Sequence, residues 1–360
     1  MMTEAKPVRL LNLDLLRLVS ALLVLFFHYG FRMQITGEGA GIGFPELAPI
    51  AKWFDIGLLI FFAISGYVIM MSAEGRSAFD FAAGRFARLW PTFVVCATIT
   101  AVVLSIWPVP ALSAPTMQQW LAHLVILSRV FGQPFLDGAY WTIAYEIIFY
   151  GWIVVALATG LLKSHWRLIV TVWLAISVLN EAALQSVVLQ KLLISQYSGY
   201  FAFGLALFRT RLENSRASFA VLSLAAGWAI AAPFITEPEF ISLYGFGRNT
   251  AGLAAMGPLA LAAVTIAIYA PTLPIKRGLA ISLGGLTYPL YLLHQNIGYA
   301  AFANFGTSDN RFAILALLIG GLLAVAMIIA RTVEPAARRA IIGLSKPVQA
   351  SLTRLRARFA

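Results

Sequence analysis

Charge is what this sequence has least of. Asp, Glu, Lys and Arg make up only 11% of its 360 residues, against about a quarter in soluble domains. A chain this long could bury a large core, but it lacks the polar side chains to clothe a water-facing exterior, and a soluble globular fold is excluded. There is one cysteine, Cys96, in the apolar run Phe93-Val-Val-Cys-Ala-Thr98. It excludes a disulfide framework and a cysteine-based metal site, and it leaves the redox compartment unread. No metal is expected. Collagen-like and disordered classes are excluded by the same composition. No internal repeat, linker or second soluble domain is visible.

What is present is apolar. Hydrophobic residues make up 60% of the chain and fall in runs of about twenty, the length that crosses a hydrocarbon layer about 30 Å thick. The expected fold class is all-α, a polytopic transmembrane helical bundle of about ten spans: 10–31, 53–71, 90–107, 138–161, 166–186, 192–208, 217–235, 249–270, 279–302 and 312–333. The first is too long for a cleaved signal peptide and carries Asp14, Arg17 and His28, so it reads as a retained span. Trp120 to Val130 is short and holds His123, Ser128 and Arg129; it suits an interfacial or re-entrant segment better than an eleventh span.

The formal net charge of +11 would suggest nucleic acid in a soluble protein, but in a membrane protein the excess of Lys and Arg in cytoplasmic loops accounts for it. No nucleic-acid partner is expected. With both termini cytoplasmic, the inside segments hold nineteen of the 26 Lys and Arg residues. Counting Trp120 to Val130 as a span would put every segment from Lys163 onward, including the basic tail, on the other side. The expected organisation is a membrane-embedded domain over 1–335 and a basic cytoplasmic tail over 336–360. Arg354, Arg356 and Arg358 of that tail would lie on anionic lipid.

Ionisable groups inside spans are costly in lipid and therefore point to function. At about 100° per residue, Asp14, Arg17 and His28 share one stripe of the first span. A local Asp14–Arg17 ion pair plus an interfacial histidine would account for the same residues; a polar pathway suits the shared stripe better. In the fourth span, Tyr140-Trp-Thr-Ile-Ala-Tyr-Glu-Ile-Ile-Phe-Tyr150, Thr142, Glu146 and Tyr150 share a face. Glu146 is expected roughly 12 Å below the outer surface. The ninth span carries Thr287, Tyr291 and His294 on one face with Tyr288 beside them, placing His294 at a depth like that of Glu146. His123 and His165 are expected at interfaces or loops. Ser65-Gly66 offers a small surface for close helix packing; no Gly-x-Ser-x-Gly elbow surrounds the serine to activate it. Arg85 and Arg88, at i, i+3, face the same way at the cytoplasmic mouth, where guanidinium groups can clamp phosphate oxygens, although orientation alone would also place basic residues there.

Together these phrases resemble the acyltransferase-3 family of integral membrane acyltransferases. The resemblance rests on Arg17 and His28 with ten residues between, Phe61-Phe62-x-x-Ser65-Gly66-Tyr67, Arg85-x-x-Arg88-x-x-Pro91, Trp141-Thr-x-x-x-Glu146-x-x-Phe149-Tyr150, Tyr288-x-x-Tyr291-x-x-His294 and the closing Glu334-Pro335. Thr142 stands where serine is commoner, and the loop from Arg32 to Lys52 follows no pattern. The sequence ends soon after the tenth span, so acyl handling is expected within the membrane domain.

The resemblance implies transfer of an acyl group, usually acetyl, from cytoplasmic acyl-CoA to a hydroxyl on the other side of a bacterial cytoplasmic membrane. The acceptor would be a carbohydrate or glycolipid such as lipopolysaccharide or exopolysaccharide. On this reading His28 is the general base, Arg17 orients the donor, and Glu146 sets the charge or tautomer of a histidine. Arg85 and Arg88 hold the acyl-CoA, while Asp14, Ser65, Trp141, Tyr150, Tyr291 and His294 line the substrate path. Transfer through an acyl-histidine or acyl-serine stays open. The competing class is a proton-coupled transporter or exporter, which would use the same buried ionisable lane.

Overall fold

A computed structural model describes residues 10–359; among them every regular element is helical. Eleven principal helices follow one another: α1 (Leu11–Ile35), α2 (Ala48–Ala73), α3 (Ala78–Ile106), α4 (Met117–His123), α5 (Tyr140–Ala158), α6 (Trp166–Leu184), α7 (Ser198–Glu213), α8 (Arg216–Tyr244), α9 (Thr250–Tyr269), α10 (Arg277–Phe305) and α11 (Arg311–Phe359). Eight of these are long and apolar enough to cross a membrane. The two expected spans that fall short of that standard, α7 and α10, are the most enclosed. In α7 every residue from Ser198 to Phe208 is buried, and α10 buries Leu286, Thr287 and a nearly unbroken run from Pro289 to Asn296. A helix surrounded by other helices need not be apolar all round, so these two can carry glycine, tyrosine, histidine and amides where a lipid-facing helix carries aliphatic residues.

Close approach of α2 and α7 explains the small surface at Ser65-Gly66. A Cβ on Gly66 would overlap the Phe201 carbonyl, and one on Gly204 would overlap the Ala63 carbonyl. The two glycines let the backbones meet as small residues do in membrane helix pairs. One apolar cluster gathers on α2 and α5 to α9, around Tyr67, Phe149 and Phe201. A second gathers on α1, α3, α10 and α11, around Leu25, Phe93, Leu290 and Phe302. Helix α1 packs on both α10 and α2, so its polar stripe falls along the seam between the clusters.

The segment Trp120 to Val130 is not one continuous helix. It consists of the seven-residue α4, capped by Thr116, and a short 3-10 turn at Ser128–Phe131. Trp120 Nε1 donates to Thr98 at 3.0 Å, and Trp90 Nε1 donates to the Leu124 carbonyl at 2.7 Å. Trp90 lies roughly 24 Å along α3 from its Ile106 end, so the segment runs back alongside α3 before the chain turns toward α5. His123, the last residue of this short helix, is buried in the protein. Its Nδ1–H donates to the Gln119 carbonyl at 2.7 Å, and its Nε2 accepts the Leu136 N–H at 3.0 Å. Burial holds its pKa below the usual imidazole value. Both nitrogens are satisfied, and the role is structural.

The chain that follows reaches α5 already buried in the bundle. Asp137, Ala139 and Tyr140 are all at most 2% exposed. Asp137 accepts the N–H groups of Ala139 and Asn296, both at 2.8 Å, while Asn296 Nδ2 donates to the Leu136 carbonyl at 2.9 Å. These bonds tie the start of α5 to α10 beside His294.

Candidate active site

Helix α1 is regular from Leu11 to Phe27, so the computed stripe of Asp14, Arg17 and His28 holds; a π turn then spans His28–Arg32. Such wide turns recur at functional sites because they redirect side chains within a continuing helix. Here the turn aims His28 at α10. His28 Nδ1 lies 3.0 Å from the Tyr299 hydroxyl, and the His28 and His294 rings sit 5.0 Å apart, centre to centre. His294 is enclosed. Its Nδ1–H donates to the Tyr291 carbonyl at 2.7 Å, which leaves Nε2 as a bare lone pair; that nitrogen is buried with no hydrogen-bond partner among the described residues. The Tyr29 hydroxyl donates to the His294 carbonyl and pins the backbone there.

From His294 the polar lane runs toward the end of the bundle where α1 and α3 begin. The Tyr291 ring lies 5.3 Å from His294, and its hydroxyl is bonded to Thr142 Oγ1 at 2.9 Å. One helical turn further, Glu146 accepts from Ser65 Oγ at 2.9 Å and from the Tyr150 hydroxyl. The Arg85 guanidinium lies over the rings of Phe81 and Tyr150, 5.7 and 6.0 Å from their centres, and its Nε is buried with no partner among the described residues. Arg17 stands 3.9 Å from Asp14 and within the fields of Arg88, Glu146 and Tyr150. Gly284 of α10 makes room for Asp14, since a Cβ there would meet its carboxylate. Three guanidinium groups thus face two carboxylates, and the local charge balance favours an anion.

The structure revises two placements. Glu146 was expected level with His28 and His294, where it would tune an imidazole. Its hydrogen bonds go instead to Ser65 and Tyr150, beside the arginines. It is Thr142, one helical turn before Glu146, that stands beside Tyr291. Trp141 faces away from the lane, packing on Phe62, Tyr145 and Tyr197. The remaining expected positions, Asp14, Arg17, His28, Ser65, Arg85, Arg88, Tyr150, Tyr291 and His294, share the seam. Tyr299 was missed. Its signal was the polar run His294-Gln-Asn in a span that should be apolar, which marks this whole stretch of α10 as enclosed. Among the described residues no group of three or more His, Cys, Asp and Glu is arranged to hold a metal ion.

Comparison with known proteins bears on the chemistry. The chain is 27% identical over 238 residues, 61% of its length and 68% of the relative's, to a protein of Shigella phage Sf6 named O-acetyl transferase. No solved structure matches it. A family model described as an acyltransferase domain matches residues 10–331, nearly the whole described chain, and carries the Arg17, His28, Ser65, Arg85, Glu146 and His294 positions within it. The chain belongs to the acyltransferase-3 family of membrane acyltransferases.

Proposed function

We propose that this protein moves an acetyl group from cytoplasmic acyl-CoA to a hydroxyl of a glycan on the far side of a bacterial inner membrane, with His28 as general base. The observation that carries the reading is the lane itself. An arginine cluster near one end of the bundle leads through Glu146, Thr142 and Tyr291 to a pair of facing imidazoles. The basic loops orient the arginine end toward the cytoplasm, with α7 and α10 completing ten crossings.

Arg85, Arg88 and Arg17 would hold the phosphates of the donor, a role that fits the unpartnered Arg85 Nε and the excess of positive charge. His28 lies about 16 Å along α1 from Arg17, a distance the flexible arm of CoA can span to bring its thioester to the imidazoles. The acceptor hydroxyl attacks the thioester carbonyl as His28 removes its proton. The new C–O bond forms, the C–S bond breaks, and the proton returns from His28 to the departing sulfur, so the base is regenerated. His294 Nε2, a lone pair in an otherwise satisfied surround, would accept a hydrogen bond from a second hydroxyl of the glycan and so hold the attacking one beside His28.

Labelled acetyl-CoA added to membranes containing the protein tests this. Label is expected in envelope glycan, with a gain of about 42 Da per site (acetyl minus hydrogen), an ester formed at a positioned hydroxyl. His28→Ala should abolish it at equal protein level. Solute flux without label transfer would return the transporter reading, against which the family membership already weighs. Label held on the protein would mark a covalent route.

A further inference from the structure

We propose that Glu38 and Tyr299 are positioning residues that set the tautomer of His28, so that Nδ1 carries the proton and Nε2 is the nitrogen left to accept one. The proposal rests on His28 being the base, and it draws on the Arg32–Lys52 loop, in which the sequence shows no motif.

Glu38 is only 7% exposed, and three donors converge on it. Arg32 Nε reaches Oε2 at 3.2 Å, Arg32 Nη2 reaches Oε1 at 3.1 Å, and the Thr36 hydroxyl reaches Oε2 at 2.8 Å. A forked guanidinium–carboxylate pair is an ion pair, and an ionised carboxylate can only accept. The Tyr299 hydroxyl meets this carboxylate on one side and His28 Nδ1, at 3.0 Å, on the other. A phenol has a single proton. Because the carboxylate has none to give, that proton goes to Glu38, and Tyr299 presents a lone pair to His28. Nδ1 must then be the protonated nitrogen. The order carboxylate, phenol, imidazole does for His28 what a buried aspartate does for the histidine of a hydrolase triad: it orients the ring and fixes which nitrogen is free.

Backbone geometry supports the pairing. His28 and Arg32 are the two ends of the π turn, so one local widening presents the imidazole to Tyr299 and the guanidinium to Glu38. The titratable and charged groups facing His28 are His294 and Tyr299 on α10 and Arg32 on its own helix.

The test measures initial rates of transfer from labelled acetyl-CoA to endogenous glycan in isolated membranes, at matched protein levels, over a range of acetyl-CoA concentrations. Tyr299→Phe keeps the ring and leaves the Arg32–Glu38–Thr36 unit intact. Glu38→Gln keeps the shape but can donate to Tyr299, which turns the relay around. Each is expected to lower the maximal rate about 100-fold, within the range for loss of a correctly poised base, with KM for acetyl-CoA held within about twofold. The double variant should be no slower than Tyr299→Phe alone, because both break one unit, and Glu38→Asp should recover part of the rate that Glu38→Gln loses. A wild-type rate in Tyr299→Phe, additive losses in the double variant, or KM and maximal rate moving together would overturn the proposal. His28→Ala read beside them separates the two ideas. If it is active, the base assignment fails; if it is inactive while Tyr299→Phe is active, only the relay fails.

Discussion

His28 and His294 face one another across the α1–α10 contact with ring centres 5.0 Å apart, and the Nε2 of His294 has no hydrogen-bond partner. A buried nitrogen without a partner costs stability in a resting protein, and its presence in the lane is explained if a second hydroxyl of the substrate supplies the missing bond. The two histidines should therefore differ in kind. His28→Ala is expected to lower acetyl transfer by about 10²–10⁴-fold, the range for a general base. His294→Ala should cost roughly tenfold to a hundredfold, the loss of one positioning hydrogen bond of about 1.5–3 kcal/mol. Rates of label incorporation by the two variants check this. A larger loss from His294→Ala than from His28→Ala would reverse the assignment.

The arginine end predicts a donor phenotype. Arg85 lies over Tyr150 with its Nε unpaired. Lysine keeps the charge but loses the planar fork and the stacking, so Arg85→Lys is expected to raise KM for acetyl-CoA about tenfold while changing the maximal rate far less. Saturation curves in membranes decide it, and an unchanged KM with a collapsed maximal rate would remove Arg85 from donor binding.

Packing at the α2–α7 crossing makes a prediction about stability alone. Gly66→Ala places a methyl against the Phe201 carbonyl, and backbone on both sides can give little. A loss of about 1–3 kcal/mol is expected from overpacking, seen as a lowered melting temperature in detergent. Gly320→Ala, where no atom lies within 4 Å of the added Cβ, should melt like the parent.

Asp137, in the turn before α5, carries a pH signature. Burial pushes its carboxyl up to about 7, against the N–H groups of Asn296 and Ala139, which favour the charged form. A folded value raised above the unfolded one means that the protonated form is favoured on folding. The contribution is complete below about pH 4 and is lost as pH rises through about 7. Melting temperature should therefore decline between pH 5 and 8, and Asp137→Asn should flatten that slope. A slope unaltered by the substitution would assign it to other groups.

How much of this was legible in the sequence depends on the range of the physics involved. The stripe Asp14, Arg17, His28 could be computed because α1 is an unbroken α-helix as far as Phe27; helical periodicity is local. That Gly66 marks close packing was legible for the same reason. The neighbours of Glu146 were not legible, because they depend on where α5 begins against α10, which is set by the Asp137 and Asn296 hydrogen bonds and by the Trp90 and Trp120 bonds that hold the 120–130 segment along α3. The low apolarity of α7 and α10 could be read as a departure from lipid-facing spans but not as enclosure, since enclosure is a property of neighbours.

Sequence alone determined that the protein is helical and built for a membrane, and which short phrases carry its family resemblance. These follow from composition, from runs of about twenty apolar residues and from periodicity, all of which act within one segment. Tertiary structure decided the company each side chain keeps. It joined His28 to His294 and Tyr299, set Glu146 among Ser65, Tyr150 and the arginines, turned Trp141 away, and brought Glu38 from a loop without pattern into reach of Tyr299. Those relations depend on how α1, α5 and α10 meet across the seam, and no periodicity within any one helix encodes that meeting.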